Sequence, residues 1–325
     1  MRPSPRRMII ACVGTLAAGL AAGCSAAPGA AYANGATHHS VRPAASAPLR
    51  AAPVNTAVSG PLLKITGAPP GVAAKGAILA NAATGQVLWS RQPAVQRPMA
   101  SITKVMTAYL VIQAGGLNRK IKIPKAAMTY AFKNGGATDS LRPGEWLTIQ
   151  QLLTGLLIQS GADAAYTLAS VYGPGMDGFL AKMNATARQL GMDHTHFTSP
   201  DGLPYPSEFA TYSTPADLLI LGEAAMKSPV FRSIVGTVQY HLPKGPGHVE
   251  HWWYNDDSLL RTYKGALGIK TGFTDKAGHC LIFEAVRGGR PLIGVVLDSP
   301  VNGLRASEND ATRMLNWGFT LKQSS

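Results

Sequence analysis

The sequence lacks the features that define several large protein classes. Cysteine occurs only three times in 325 residues, which excludes a disulfide-scaffolded fold. Charged residues make up 14% and hydrophobic residues 46%, a balance that excludes a coiled coil or a disordered polyelectrolyte and leaves enough apolar mass for a substantial core. Beyond the first two dozen residues, no uncharged apolar run approaches the ~18 residues of a membrane span. Acidic side chains are scarce, 17 against 30 Lys and Arg, for a net charge of +13. Such an excess suits nucleic acid, an anionic envelope or an acidic substrate. With no recognition helix, RNP aromatic pair or basic block, nucleic acid is not an expected partner. No internal repeat is visible.

What is present begins with an export signature. Arg2, Arg6 and Arg7 precede an uncharged stretch from Met8 to Gly23 rich in Ala, Leu and Ile. A basic head before a short apolar run reads as a signal peptide over 1–23. Two processing junctions are legible after it. Leu20-Ala21-Ala22-Gly23-Cys24 reads as a bacterial lipobox, which makes Cys24 the acylated first residue and a lipid its membrane anchor. Ala31-Tyr32-Ala33 offers an ordinary A-x-A cleavage site instead. Cys12 falls inside the signal. Cys280 lies in an apolar run and reads as a small buried hydrophobe rather than a nucleophile. Residues 24–70 are mostly Ala, Pro, Gly, Ser and Thr without periodicity, and are expected to form a disordered tether with an end-to-end distance of roughly 35–40 Å. The expected location is the outer face of the cytoplasmic membrane or the cell wall.

Residues 71–322 carry the patterns of a folded domain. Val72–Ala80 and Gln86–Trp89 flank a Thr84-Gly85 turn and predict a β-hairpin. Helices are expected over about 100–113, 148–158, 163–172, 176–190 and from Thr214-Pro215 to about Lys227. Three apolar runs, Leu267–Thr271, Cys280–Val286 and Leu292–Leu297, predict strands, the last two joined by Gly288-Gly289. A closing helix over about 306–319 has the spacing needed to lie on that sheet. The fold class is α/β, a mainly antiparallel sheet flanked by helices with a helical subdomain.

Three short motifs point to chemistry. Ser101-Ile102-Thr103-Lys104 is a Ser-x-x-Lys. On one helix face, positions i and i+3 bring hydroxyl and amine together. Serine becomes a nucleophile when a base takes its proton, and lysine serves as that base only when neutral, a form favoured by burial and a helix N-terminus. Lys270-Thr271-Gly272 puts an ammonium and a hydroxyl on a strand edge, with a glycine that permits close backbone approach, and suits a substrate carboxylate and an oxyanion. In Ser160-Gly161-Ala162-Asp163 the serine is placed to relay a proton to a leaving amine, although the same residues also read as an ordinary helix N-cap.

In this order the three motifs form the pattern of the penicillin-recognising serine enzymes. Arg97–Ala108, with its Pro98-Met99-Ala100-Ser101-Ile102-Thr103-Lys104 centre, resembles the nucleophile segment of the D-alanyl-D-alanine carboxypeptidases of the low-molecular-mass, peptidase S11 type. Leu157-Ile158-Gln159-Ser160-Gly161, Leu190–Phe197, Pro200-Asp201-Gly202-Leu203 and Gly268–Thr274 fit the same pattern. The resemblance implies a serine β-lactamase/penicillin-binding transpeptidase-like fold, peptidoglycan stem peptides as substrate and β-lactam antibiotics as covalent inhibitors, with no cofactor. It implies that Ser101 attacks the D-Ala-D-Ala carbonyl, Lys104 takes its proton and Ser160 assists the leaving D-alanine. Lys270, Thr271 and Gly272 would bind the substrate, and the backbone N–H groups of Ser101 and Phe273 would form the oxyanion hole.

One position departs from the family. Its middle motif is usually Ser-x-Asn, and here Ala162 replaces the carboxamide that would bond the substrate amide and orient the lysine. This motivates the alternative of a weakened or inactive penicillin-binding or peptidoglycan-binding scaffold. A β-lactamase is a less favoured alternative, because none of Glu145, Glu208, Glu223 or Glu250 has the setting of a deacylating glutamate. His194-x-His196 lies within a family segment and His248-x-x-His251 in a Pro/Gly-rich loop, so no metal site is expected.

Overall fold

The structure, a computed structural model, describes residues 67–303 and 305–322. The expected signal, Cys24 and nearly all of the expected tether lie outside the described residues.

The chain opens with the hairpin β1 (Gly76–Asn81) and β2 (Val87–Arg91), paired antiparallel. It starts later than the apolar pattern suggests, because the Ala73 and Ala74 N–H groups donate to the Asp310 carboxylate at 2.8 Å rather than to a strand. After β3 (Arg97–Pro98), a 3₁₀ turn over Ala100–Thr103 leads into α1 (Lys104–Ala114). The helical subdomain follows, with β4 (Lys120–Lys122), α2 (Lys125–Lys133), β5 (Trp146–Thr148), α3 (Ile149–Thr154), α4 (Ala162–Tyr172) and α5 (Gly175–Gln189). Thr148 caps α3 reciprocally with Gln151. The helix expected to continue to residue 158 instead widens into a π turn over Gly155–Gln159.

Strand β6 (Tyr212–Ser213) pairs with β3. Thr214 accepts from the Asp217 N–H and caps α6 (Pro215–Met226), with Pro215 at the first helical position. Then come α7 (Pro229–Val235), the hairpin β7 (Gln239–Leu242) and β8 (His251–Tyr254), and α8 (Leu259–Thr262). Strands β9 (Ala266–Thr274), β10 (Gly278–Arg287) and β11 (Arg290–Ser299) and helix α9 (Ala306–Thr320) complete the domain.

The main sheet has the order β2-β1-β11-β10-β9, every pair antiparallel. Period-2 alternation separates two apolar layers. Ile78, Ile282, Ile293 and Val295 face the larger core shared with α1, α4 and α6. Leu79, Leu281, Phe283 and Val296 face α9 through Met314 and Leu315. The expected fold class is therefore the one observed. Helices α2 and α7 and the hairpin β7–β8 are additions: the hairpin replaces an expected loop, because Pro243, Gly245, Pro246 and Gly247 crowd only its turn.

Candidate active site

The Ser101–Lys104 segment is held by two outside elements. Ala100 adopts a left-handed φ of 48°, and the 3₁₀ turn that follows carries Ser101 while Lys104 is the first residue of α1. The two residues thus do not share one α-helix, as the spacing suggested. In a 3₁₀ turn, residues i and i+3 eclipse each other, so the expected meeting occurs by a different geometry: Lys104 Nζ lies 2.9 Å from Ser101 Oγ. The same Nζ donates to the Asp201 carbonyl at 3.1 Å. Gly202, at φ 83°, lies directly beneath the Ala100 carbonyl. A Cβ there would collide with that oxygen, so the close approach requires glycine. Thr107 Oγ1 donates to the Pro200 carbonyl at 2.6 Å. Segment 200–203 is therefore the floor of the site.

Strand β9 forms the opposite wall. A Cβ on Gly272 would stand 2.9 Å from the Met99 carbonyl and 3.1 Å from the Ser101 nitrogen, which is why the third residue of Lys-Thr-Gly has no side chain. Lys270 is buried, with Nζ 3.5 Å from Thr271 Oγ1. Burial lowers the Lys104 ammonium from its ordinary value, opposed by the nearby Asp201 and Asp139 charges. Burial also lowers Lys270, to about 8, against the pull of Asp256 and with help from Lys104.

The third wall is the turn after the π segment. Ser160 is buried at φ 70°, a left-handed conformation that a non-glycine residue holds at a cost the surroundings must cover. Ser160 is not the cap of α4. That position belongs to Gly161, which makes no side-chain cap bond, so the capping interpretation of this serine does not hold. Asp163 instead gathers the 138–141 loop over the turn. Its carboxylate accepts from Thr138 Oγ1 at 2.6 Å, from the Asp139 N–H at 3.0 Å and from the Leu141 N–H at 3.3 Å.

Asp139 then points inward. Its carboxyl fills the space beside Gly155 and Gly161, where a Cβ on either would overlap it. Neither oxygen completes a hydrogen bond, and the nearby Gly161 N–H offsets little of the cost. Burial, reinforced by Asp163, pushes this carboxyl well above the usual range, with Lys104 and Lys270 opposing.

These walls enclose a cavity of about 290 Å³ lined by Ser101, Ser160, Thr271, Gly272, Phe273 and other residues including Asp256 and His279. The structure brings the three motifs to one place. Lys104 and Lys270 lie just behind the lining, fully buried. Phe273 is half exposed at the rim, its ring 4.6 Å from that of His279. Ala162 is buried behind the 136–137 backbone, and its N–H donates to the Ala137 carbonyl at 2.7 Å. Cys280 is buried, with its thiol pushed up to about 12 by burial. Among the described residues, no cluster of His, Cys, Asp or Glu has the arrangement of a metal site. His251 lies in β8, within 3.3 Å of Glu145, not in a loop. Asp201, which contributes its backbone carbonyl, and Asp139, which has no motif around it, are among the site residues that the sequence does not single out.

With the geometry in place, the similarities are informative. Residues 64–301 match the Peptidase S11 family model, D-alanyl-D-alanine carboxypeptidase. A D-alanyl-D-alanine carboxypeptidase of a Streptomyces species is 39% identical over 264 residues, 78% of this chain and 89% of the relative. D-alanyl-D-alanine carboxypeptidase DacB2 of Mycobacterium tuberculosis is 39% identical over 75% of this chain and 81% of its own. The crystal structure of a Streptomyces DD-transpeptidase superposes with a TM-score of 0.73 at 39% identity, covering 78% of this chain and 99% of that one.

Proposed function

The chain belongs to the peptidase S11 family of D-alanyl-D-alanine carboxypeptidases, and on that basis we propose that it removes the terminal D-alanine of peptidoglycan stem pentapeptides through a serine acyl-enzyme. The observation that carries the reading is the 2.9 Å contact between Ser101 Oγ and the buried Lys104 amine. Burial favours the neutral amine, which accepts the hydroxyl proton as Oγ attacks the penultimate D-Ala carbonyl. The backbone N–H groups of Ser101 and Phe273 receive the oxyanion. Lys270 and Thr271 hold the terminal carboxylate beside Gly272. Ser160 passes the proton to the departing D-alanine nitrogen, and water, activated by Lys104, releases the shortened peptide. The similarities favour a working enzyme over an inactive scaffold.

A second reading, transfer of the acyl group to an amine, is favoured by one observation: the Streptomyces structure of 39% identity is that of a DD-transpeptidase. One experiment separates the outcomes. The full-length protein is incubated with a pentapeptide ending in D-Ala-D-Ala, with and without an amine acceptor. Free D-alanine with a tetrapeptide product supports hydrolysis, and a peptide–amine adduct supports transfer. No D-alanine in either arm rejects both.

The basic head, apolar run and Gly23-Cys24 junction support export with a lipid on Cys24, and the +13 net charge suits an anionic wall. Among the described residues, no helix is long and apolar enough to cross a membrane. Mass spectrometry of the mature N-terminus tests the anchor, and an unmodified chain beginning at Asn34 rejects it.

A further inference from the structure

The outer face of hairpin β7–β8 carries exposed rings that the peptide chemistry does not use. Trp253 and His251 point inward and are buried, whereas Trp252 is 45% and Tyr254 55% exposed. Trp252 is also held rigidly. Its indole stacks on His241, the cross-strand partner, with centroids 3.8 Å apart and planes 10° from parallel. Its Nε1 donates to Glu250 Oε1 at 3.3 Å, and that same oxygen lies 2.7 Å from His241 Nε2. One ring face and one edge are thus fixed from within, and the remaining ring surface is presented to solvent. Both bonds fall on Oε1, which leaves Oε2 to accept from a hydroxyl.

We propose that this face is a sugar-stacking subsite for the glycan strand that carries the stem peptide. The proposal deepens the D-Ala-D-Ala peptidase reading and rests on it. A pyranose ring has an apolar C–H face and a polar hydroxyl rim. Here, the fixed Trp252 ring and the exposed Tyr254 ring are framed by Gln239, His241 and Glu250, with no Lys or Arg on either strand. A neutral amino sugar fits such a surface better than an anionic lipid does. The strands are four residues long, about 13 Å, too narrow for the ~800 Å² per partner of a stable protein interface. A pre-set ring loses little freedom on binding.

The location matches the substrate's length. The Tyr254 N–H donates to Gln159 Oε1 at 3.1 Å, and the Asp256 N–H donates to the Ile158 carbonyl at 3.0 Å. The end of β8 is therefore fixed to the two residues that precede Ser160, and Asp256 itself lines the cavity. A pentapeptide has three residues before its scissile pair. With the link to the sugar, these span at most ~13–14 Å when extended. From Asp256 back to Trp252 the chain runs four residues, through the last three positions of β8, and spans at most about the same distance.

The test compares the full-length protein and its Trp252→Ala and Tyr254→Ala variants on a free pentapeptide and on the same peptide attached to its disaccharide. Trp252→Ala is expected to lower kcat/KM on the disaccharide substrate by about threefold to tenfold through KM. Turnover of the free peptide and labelling by penicillin should be unchanged, and Trp252→Phe should restore most of the loss. Equal losses on both substrates would show that Trp252 only supports the Ser160 turn, and no loss on either would show that no sugar touches it. Each of these results overturns the proposal, as does a Trp252-dependent dimer without any sugar effect. If the unaltered protein releases D-alanine from neither substrate, the peptidase reading fails by itself. The subsite is then read from the Trp252 indole N–H resonance on titration with the disaccharide, where an unmoved signal overturns it.

Discussion

Gly136 lies so close to Ala162 that a Cβ on the glycine would stand 2.7 Å from the alanine Cβ. The 136–137 backbone thus occupies the space into which a longer side chain at 162 would extend, and Ala162 is itself fully buried. The site has been closed around alanine rather than left with a vacancy. Ala162→Asn is therefore expected to overpack the turn, lowering stability by about 1–3 kcal/mol and slowing acylation. Thermal melting and the rate of penicillin labelling check this. An unchanged melting temperature with faster labelling would mean that the 136–140 loop yields.

Ser101→Ala is expected to abolish covalent labelling by penicillin, and Lys104→Ala to slow it severely. The two act as a unit, so the double variant should be no worse than Ser101→Ala alone. Labelling followed on a gel, with the melting curve as a control for folding, measures both.

In the proposed role Lys270 carries its proton to hold a carboxylate, and burial lowers its ammonium to about 8. Peptide turnover should accordingly fall as pH rises through about 8, as the cation is lost. As the proposed base, Lys104 must instead be neutral, so rising pH through its lowered value should increase the rate. Arginine does not lose its proton in this range. Lys270→Arg should therefore remove the alkaline fall while raising KM, and a profile of kcat/KM from pH 6 to 10 would show it.

The Asp139 carboxyl is raised by burial and by Asp163. Between its unfolded value near 3.8 and its folded value, the native state holds the proton that the unfolded chain releases. Its contribution to stability is thus full below the unfolded value and is lost as pH rises toward the folded one. Asp139→Asn removes this dependence. The variant should melt higher than the parent at pH 7, and the gap should shrink toward pH 4. A gap that widens on acidification would mean the carboxyl is held ionised.

Gly272→Ala would place a methyl group against the Met99 carbonyl and the Ser101 nitrogen. Displacing a nucleophile by about 1 Å can cost 10²-fold in rate. Acylation should therefore fall far more than the melting temperature does, as stopped-flow labelling beside a melting curve would show.

How much of this was legible in the sequence depends on what each residue uses to make its contact. Ser101, Lys104 and Lys270 lie in recognisable triplets and their proposed roles use side chains, and continuous apolar runs such as Cys280–Val286, followed by Gly288-Gly289, mark strands. The 3₁₀ turn under Ser101 was hidden, because i and i+3 meet in either helix type and only the β9 and 200–203 contacts decide between them. Asp201 acts through a backbone carbonyl, which any residue possesses. Asp139 sits in an ordinary Thr-Asp-Ser stretch, and its burial arises from a loop closed by Asp163, 24 residues further on. Trp252 and Tyr254 alternate with buried neighbours as a strand should, but the Pro/Gly turn before them dominated the pattern.

Strand β1 pairs with β11 through the register Gly76↔Leu297, joining segments over 200 residues apart. Closing so long a loop carries an entropic cost that local contacts cannot offset early, and such topologies fold slowly. Until β11 arrives, the apolar edge of Ala77-Ile78-Leu79-Ala80 has no partner on that side, a surface on which unfinished chains adhere to one another. The same late step brings in β9, whose Gly272 packs against the Ser101 turn. A chain interrupted before its last strands therefore has Ser101 but no β9 wall beside it, so truncated products should be aggregation-prone and chemically idle.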